Sequence, residues 1–115
     1  MTRAPRIMVV SHDPHLGDVR KAILEAAGFQ VFAATNIKEV QEGCQKDPQL
    51  VMIGYSLPPA AKRQVWAEVR DRCKVPILEL HKNEEPSIMA DAYFHQVDRP
   101  DDFLAAVRRI LKKAS

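Results

Sequence analysis

Residues 6–14 read RIMVVSHDP: one charged residue, four apolar residues and then a polar turn that ends in proline. A continuous apolar run of this length is typical of a strand that is covered on both faces, as strands of parallel sheets are. From Pro14 to Ala27 the apolar residues recur with the spacing of one helix stripe, after a capping residue at Asp13 and before a stop at Gly28. The stretch therefore predicts a strand followed at once by a helix.

The same alternation continues along the chain. Further strands are predicted over 31–34, 50–53, 75–80 and 92–97, and further helices over 37–44, over 60–72 and from Pro100 onward. Residues 82–91 have apolar content for about one helical turn only, so we expect the helix between the last two strands to be shortened or missing. Strict alternation of strands and helices favours an α/β fold, a three-layer, doubly wound parallel sheet with helices on both faces.

The composition restricts the class of protein. A chain of 115 residues predicts a single domain over 1–115, and 46% hydrophobic with 28% charged residues is typical of a soluble globular protein. The apolar runs are far shorter than the roughly 20 residues of a membrane span, and the amino terminus lacks the apolar region of a secretory signal. We therefore expect a cytoplasmic protein whose Cys44 and Cys73 are reduced thiols packed on helices.

Doubly wound sheets bind their ligands beyond the carboxyl ends of the strands. The residues that follow the predicted strands are therefore the candidates for function. They are Ser11, His12 and Asp13 after the first strand, Gly54 to Pro58 after the third, His81 and Lys82 after the fourth, and Asp98, Arg99 and Pro100 after the fifth.

In this arrangement the chain resembles the receiver domain of response regulators, the phosphoacceptor half of two-component signalling. Residues 6–14, 49–58 (QLVMIGYSLP) and 75–81 (VPILELH) are similar to its first, third and fourth strands, and 97–100 (VDRP) stands where the family has a strand that ends in Lys-Pro. The resemblance covers nearly the whole chain. It implies a flavodoxin-like or CheY-like sheet of five parallel strands in the order 2-1-3-4-5.

The resemblance also implies a set of chemical groups, and this sequence departs from nearly all of them. Receiver domains hold Mg²⁺ with two acidic residues after strand 1, are phosphorylated on an Asp after strand 3, and contact the phosphoryl group with a Thr or Ser and a Lys. An aromatic residue on strand 5 acts as their switch. Here the acidic pair falls on Ser11 and His12 with only Asp13 as a carboxylate, the phosphoacceptor on Gly54, the hydroxyl on His81, the lysine on Arg99 and the switch on Gln96.

These departures predict a degenerate pseudo-receiver. Glycine has no nucleophile, so no acyl phosphate can form at Gly54, and one carboxylate beside imidazoles is a poor Mg²⁺ site. We expect no enzyme activity and no cofactor. The predicted function is a phosphorylation-independent signalling or regulatory module that contacts a protein partner, a second copy of the chain included. We expect no membrane contact and no nucleic-acid binding by this domain alone.

A ligand-sensing interpretation stays open beside this one. His12, His81 and Arg99 form a candidate pocket for a small ligand or an anion, although an ion pair between Arg99 and Asp13 that closes the pocket is favoured, because no glycine-rich loop is present. His12, His15 and His81 with Asp13 are a weaker candidate set for Zn²⁺ or another transition metal.

Two smaller features have alternative interpretations. Tyr55 or Ser56 is a candidate substitute phosphoacceptor, but no base is predicted beside either one, so an ordinary loop is favoured. Trp66 lies beside the apolar stripe of the third helix, which fits an exposed interface and the edge of the core equally well.

Overall fold

The computed structural model describes residues 4–12, 14–54, 56–81, 88–95 and 100–114. Its elements alternate as the sequence predicts. They are β1 (Arg6–Val10), α1 (Pro14–Ala26), β2 (Gln30–Ala34), α2 (Ile37–Cys44), β3 (Leu50–Ile53), α3 (Pro59–Arg72), β4 (Ile77–His81), β5 (Ala92–His95) and α4 (Pro100–Ala114).

The strands form one parallel sheet of five strands in the order β2-β1-β3-β4-β5. The predicted doubly wound topology is thereby confirmed. Val10 pairs with Ala34 on one side and with Ile53 on the other. This register puts Ser11 and Gly54, the residues that follow β1 and β3, next to each other at the carboxyl edge of the sheet.

Alternate residues of each strand serve opposite layers of the core. Ile7 and Val9 of β1 belong to a cluster formed with α1 and α4, whereas Met8 and Val10 belong to a cluster formed with α2 and α3. All four side chains are buried. A strand between two helical layers needs apolar side chains on both faces, which is why the sequence shows unbroken apolar runs.

Helix α1 ends at the predicted glycine. Gly28 has a φ of 98°, a left-handed conformation that a residue without a β-carbon adopts easily. Its N–H donates to the Glu25 carbonyl at 3.0 Å, and the Phe29 N–H donates to the Leu24 carbonyl at 3.1 Å. These bonds occupy carbonyls that the last turn of the helix leaves without intrahelical partners.

Helix α2 begins at the predicted cap, with one difference. The Asn36 side chain accepts a hydrogen bond from the Glu39 N–H at 2.9 Å, as expected of a capping box. The Glu39 carboxylate, however, turns to Thr35 and accepts from both its N–H and its hydroxyl at 2.7 Å. These bonds hold the pKa of Glu39 below its ordinary value, the backbone bond being the larger cause.

The connection from β4 to β5 lacks a helix in its described part. Residues 88–91, here called the 88–91 segment, are not helical, and residues 82–87 lie outside the described residues. The Trp66 indole N–H donates to the Met89 carbonyl at 2.9 Å, and the Tyr93 hydroxyl donates to the Ile88 carbonyl at 2.9 Å. Trp66 itself is partly buried against the core, so the structure places it at the core edge.

The observed bounds of β4 and β5 differ from the predicted ones, β4 because of a proline and β5 because the residues after His95 are not described. β4 begins at Ile77 and not at Val75. Pro76 has no N–H to donate, yet its carbonyl accepts from the Val51 N–H at 3.0 Å. The described part of β5 ends at His95, and residues 96–99 are not described.

The expectation of reduced thiols is wrong for this structure. Cys44 and Cys73 are joined by a disulfide, with their Cα atoms 5.1 Å apart. Both residues are partly buried against the core layer of α2 and α3. The spacing of the two cysteines along the chain does not predict the disulfide. The bond forms because the carboxyl ends of α2 and α3 meet on the same face of the sheet.

None of the helices in the described ranges combines the length and the apolarity that a membrane span needs.

Candidate functional site

Gly54, at the position that the resemblance gives to the phosphoacceptor, lies against a buried arginine. Its N–H donates to the Val10 carbonyl at 2.8 Å, which fixes it beside the end of β1. A β-carbon placed on Gly54 would lie 2.8 Å from Nη1 of Arg20 and 3.2 Å from the Val10 carbonyl oxygen. Arg20 reaches this place from α1 and is only 5% exposed. The guanidinium therefore fills the space into which a side chain at position 54 would extend.

Beside Gly54, two hydroxyl groups connect the ends of β1 and β3. The hydroxyl oxygens of Ser11 and Ser56 are 3.3 Å apart, and the His12 N–H donates to the Ser56 hydroxyl oxygen at 3.2 Å. Ser11 is buried, and its own N–H donates to the Ala34 carbonyl at 3.1 Å. Ser56, which the sequence suggests only as an ordinary loop residue or a substitute phosphoacceptor, thus ties the two loops together.

His12 is exposed and lies next to a cavity at the carboxyl edge of the sheet. It lines a cavity of about 250 Å³ between the amino ends of α2 and α3. The polar part of the wall also includes Asn36 and Gln64, while Leu57 and Val65 contribute to the apolar part. His81 is not among the residues of this wall, so the cavity does not bring the two histidines together.

His81 is the last residue of β4 and is partly buried. The strand also carries the most deeply buried charged group of the described residues. Glu79 is 0% exposed and accepts a hydrogen bond at 2.9 Å from the ammonium of Lys62 on α3, which is 1% exposed. Lys62 donates a second bond to the Leu80 carbonyl at 3.2 Å. The pair satisfies charges that burial would otherwise make very costly.

Several predicted site residues fall outside what the structure describes. Asp13, Tyr55, Gln96 and Arg99 are not described, nor is the side chain of His15. Within the described ranges, no three His, Cys, Asp or Glu side chains come close enough together to hold a metal ion. The ion pair between Arg99 and Asp13, the anion pocket and the metal set therefore stay predictions.

Sequence reasoning missed Arg20 and the buried Lys62–Glu79 pair. A charged residue inside the apolar run of β4 is a visible signal that a partner is required, so Glu79 could have been noticed. Its partner, Lys62, could not have been identified from the sequence, because α3 carries several charged residues and the pattern does not show which of them faces Glu79. Arg20 gave no signal, since a single arginine on an amphipathic helix is most often exposed.

Comparison with known proteins identifies structures and one sequence similar to this chain. No family model matches the chain. One curated relative, the DNA-binding dual master transcriptional regulator RpaA of Synechocystis, is 28% identical over 120 residues, which cover 95% of this chain and 50% of that protein. The chain therefore spans about half the length of the curated relative it matches.

Solved receiver structures superpose on most of the chain. A CheY-like response regulator receiver domain from Methanospirillum hungatei has a TM-score of 0.81 at 21% identity and covers 96% of both chains. A putative response regulator from Chloroflexus aurantiacus has a TM-score of 0.81 at 22% identity over 95% of this chain and 98% of that one.

A third similar structure contains a metal ion. It is the receiver domain of a Pseudomonas aeruginosa sensor histidine kinase, with a magnesium ion coordinated in its active-site cleft. It has a TM-score of 0.81 at 16% identity and covers 95% of this chain and 98% of that one. At these identities the likeness establishes the fold, and the chain therefore has the receiver, or CheY-like, fold of two-component response regulators.

Proposed function

We propose that residues 1–115 form a pseudo-receiver domain, a cytoplasmic signalling module that acts without phosphorylation. The observation that carries the proposal is the contact between Gly54 and Arg20. An acyl phosphate needs a carboxylate at position 54, and glycine offers none. The space for such a side chain is filled by the Arg20 guanidinium.

The hydrogen bonds between the loops that follow β1 and β3 support the same proposal. The resemblance implies two acidic residues after the first strand that hold Mg²⁺. Here the hydroxyls of Ser11 and Ser56 and the His12 N–H connect those loops directly. Neutral hydroxyls are weaker ligands for Mg²⁺ than carboxylates, so the described part of this edge favours a hydrogen-bonded closure over metal binding.

A module of this kind acts by binding rather than by catalysis. The partner that we propose is a protein, which includes a second copy of this chain. RpaA is described as a DNA-binding regulator, but only half of that protein is matched by this chain. We therefore propose no DNA contact for this domain alone, and neither membrane contact nor a bound cofactor is part of the proposal.

The proposal is tested by intact-mass spectrometry after incubation with acetyl phosphate and Mg²⁺. A receiver domain that retains its phosphoacceptor Asp, treated in the same tube, reports that the reagent is active. We expect the control to gain the mass of one phosphoryl group and this chain to gain none. A phosphoryl adduct on this chain, at Tyr55, Ser56 or any other residue, would contradict the proposal.

A further inference from the structure

We propose that the Cys44–Cys73 disulfide is a reversible thiol–disulfide exchange site whose redox state controls the rigidity of the α2–α3 layer. Cys44 is the last residue of α2, and Cys73 follows directly after α3. The two residues are 29 positions apart in the chain and bonded in the fold. Both are partly buried and neither is fully enclosed, and the proposal requires that a thiol reductant can reach the bond.

The exchange chemistry needs only a dithiol of the thioredoxin or dithiothreitol type. One thiolate of the reductant attacks a cystine sulfur, the S–S bond breaks, and the other cysteine leaves as a thiolate that takes up a proton. The second thiol of the reductant then displaces the first cysteine from the mixed disulfide. The protein gains two electrons and two protons, and the reductant leaves as its own disulfide. Oxidised glutathione reverses the reaction.

A turn with a left-handed residue follows each of the two cysteines. After Cys44 the chain passes through Asp47 with a φ of 59°, and after Cys73 through Lys74 with a φ of 57°. Both residues carry a β-carbon, which crowds the backbone in this left-handed region. Reduction removes the bond that ties these two turns together, so we expect the carboxyl ends of α2 and α3 to be the parts that loosen.

The position of the bond connects it to the candidate site. The stretch between the two cysteines contains β3, Gly54 and Ser56. The same pair of helices frames, at their amino ends, the cavity lined by His12. The disulfide and the cavity thus lie at opposite ends of one helix pair.

Exchange fits this bond better than a fixed structural role does. A chain of this size can bury a sufficient core without a disulfide, and apolar clusters fill both faces of this sheet. In the cytoplasm, where we propose that the domain acts, disulfides are rare and usually serve transient or redox-sensing roles. Only this last consideration rests on the proposed function.

The test counts accessible thiols in the native protein by alkylation and intact mass, without denaturant. We expect no alkylation of protein purified in air, alkylation of both cysteines after dithiothreitol, and a return to none after oxidised glutathione. Hydrogen exchange should accelerate in residues 42–47 and 70–75 of the reduced form, and the unfolding midpoint should fall by about 10 °C. The α1 and α4 amides should keep their protection.

The single variants Cys44→Ser and Cys73→Ser are the matched controls, because neither can form the bond. Dithiothreitol should leave their unfolding midpoints unchanged. Three results would overturn the proposal: thiols that alkylate before reduction, a bond that dithiothreitol opens only in denaturant, or a reduced protein that is unfolded. None of these measurements involves phosphorylation, so their outcome is independent of the acetyl phosphate test.

Discussion

The two halves of the sheet hold their polar groups in different ways. At the ends of β1 and β3, Gly54 lies against the guanidinium of Arg20, at the position that the resemblance gives to the phosphoacceptor. Around β4 and β5 the polar groups are held in direct pairs. The 88–91 segment accepts a hydrogen bond from the Trp66 indole, and the ion pair between Lys62 of α3 and Glu79 of β4 is buried. The first half is thus marked by close packing around a glycine, and the second by specific polar pairs that join α3 to β4 and to the segment before β5.

The largest expected effect lies in the β4–β5 half. Lys62→Met removes the ammonium that pairs with the fully buried Glu79 carboxylate. Breaking a buried ion pair on one side costs about 3–5 kcal/mol, because the remaining charge loses its compensation. Urea unfolding measures the free energy directly.

The double variant Lys62→Met, Glu79→Leu is the matched control. Replacing both partners with apolar side chains should recover most of the loss, since such replacements are often neutral. A double variant as unstable as the single one would show that the pair is not the source of the effect.

The β1–β3 half should respond less strongly. Gly54→Ala introduces a β-carbon that forces Arg20 and the Val10 carbonyl to move, with an expected loss of about 1–3 kcal/mol. The atom that the new β-carbon meets most closely is Nη1 of Arg20, so the penalty should shrink in an Arg20→Ala background, where that atom is absent. Urea unfolding of the four proteins of this cycle gives the coupling. A Gly54→Ala penalty that is unchanged without Arg20 would contradict the packing described here.

A smaller loss of stability is expected when a hydrogen bond to the 88–91 segment is removed. Trp66→Phe keeps an aromatic ring but removes the N–H that donates to the Met89 carbonyl. We expect a loss of about 1 kcal/mol and faster hydrogen exchange at residues 88–91. Tyr93→Phe, which removes the hydrogen bond to Ile88, should accelerate exchange in the same residues. Unchanged exchange in both variants would show that these bonds do not hold the segment.

The smallest effect concerns the start of α2, outside both halves. Hydrogen bonds from Thr35 lower the pKa of Glu39. Because the pKa of Glu39 is lower in the folded state than in the unfolded state, its ionised carboxylate stabilises the fold. This stabilisation is fully present at pH values above the ordinary pKa of 4.5, and it is lost as the pH falls through the folded-state pKa. An NMR titration of the carboxyl group should find the pKa below 4.5, and Thr35→Val should raise it. A pKa at or above 4.5 in the native chain would refute the assignment.

The sequence predicted best what depends on local patterns. The apolar run of β3 was predicted at its observed bounds, Leu50–Ile53, because a strand covered on both faces leaves a continuous signal. The stop at Gly28 and the cap at Asn36 depend on neighbouring residues only, so they were predicted correctly as well. The neighbouring positions of Ser11 and Gly54 followed from the topology.

What the sequence could not predict depends on which side chains meet across the fold. Arg20 beside Gly54 and Lys62 beside Glu79 each join a helix to a strand end, and a pattern along the chain does not specify such pairs. The disulfide was missed for the same reason, and also because the expected reducing compartment argued against it. Contacts of this kind decide the chemistry of the site, although the fold is set without them.

The central proposal is that the β1–β3 edge, where the Arg20 guanidinium packs against Gly54, supports neither Mg²⁺ binding nor phosphorylation. The most direct test is a series of ¹H–¹⁵N NMR spectra of the native chain with Mg²⁺, and then with Mg²⁺ and acetyl phosphate. Sodium chloride of equal ionic strength serves as the control. We predict that the amide signals of Ser11, His12 and Gly54 stay where the salt control leaves them. Saturable Mg²⁺-dependent shifts at these amides, or new signals after acetyl phosphate, would contradict the claim.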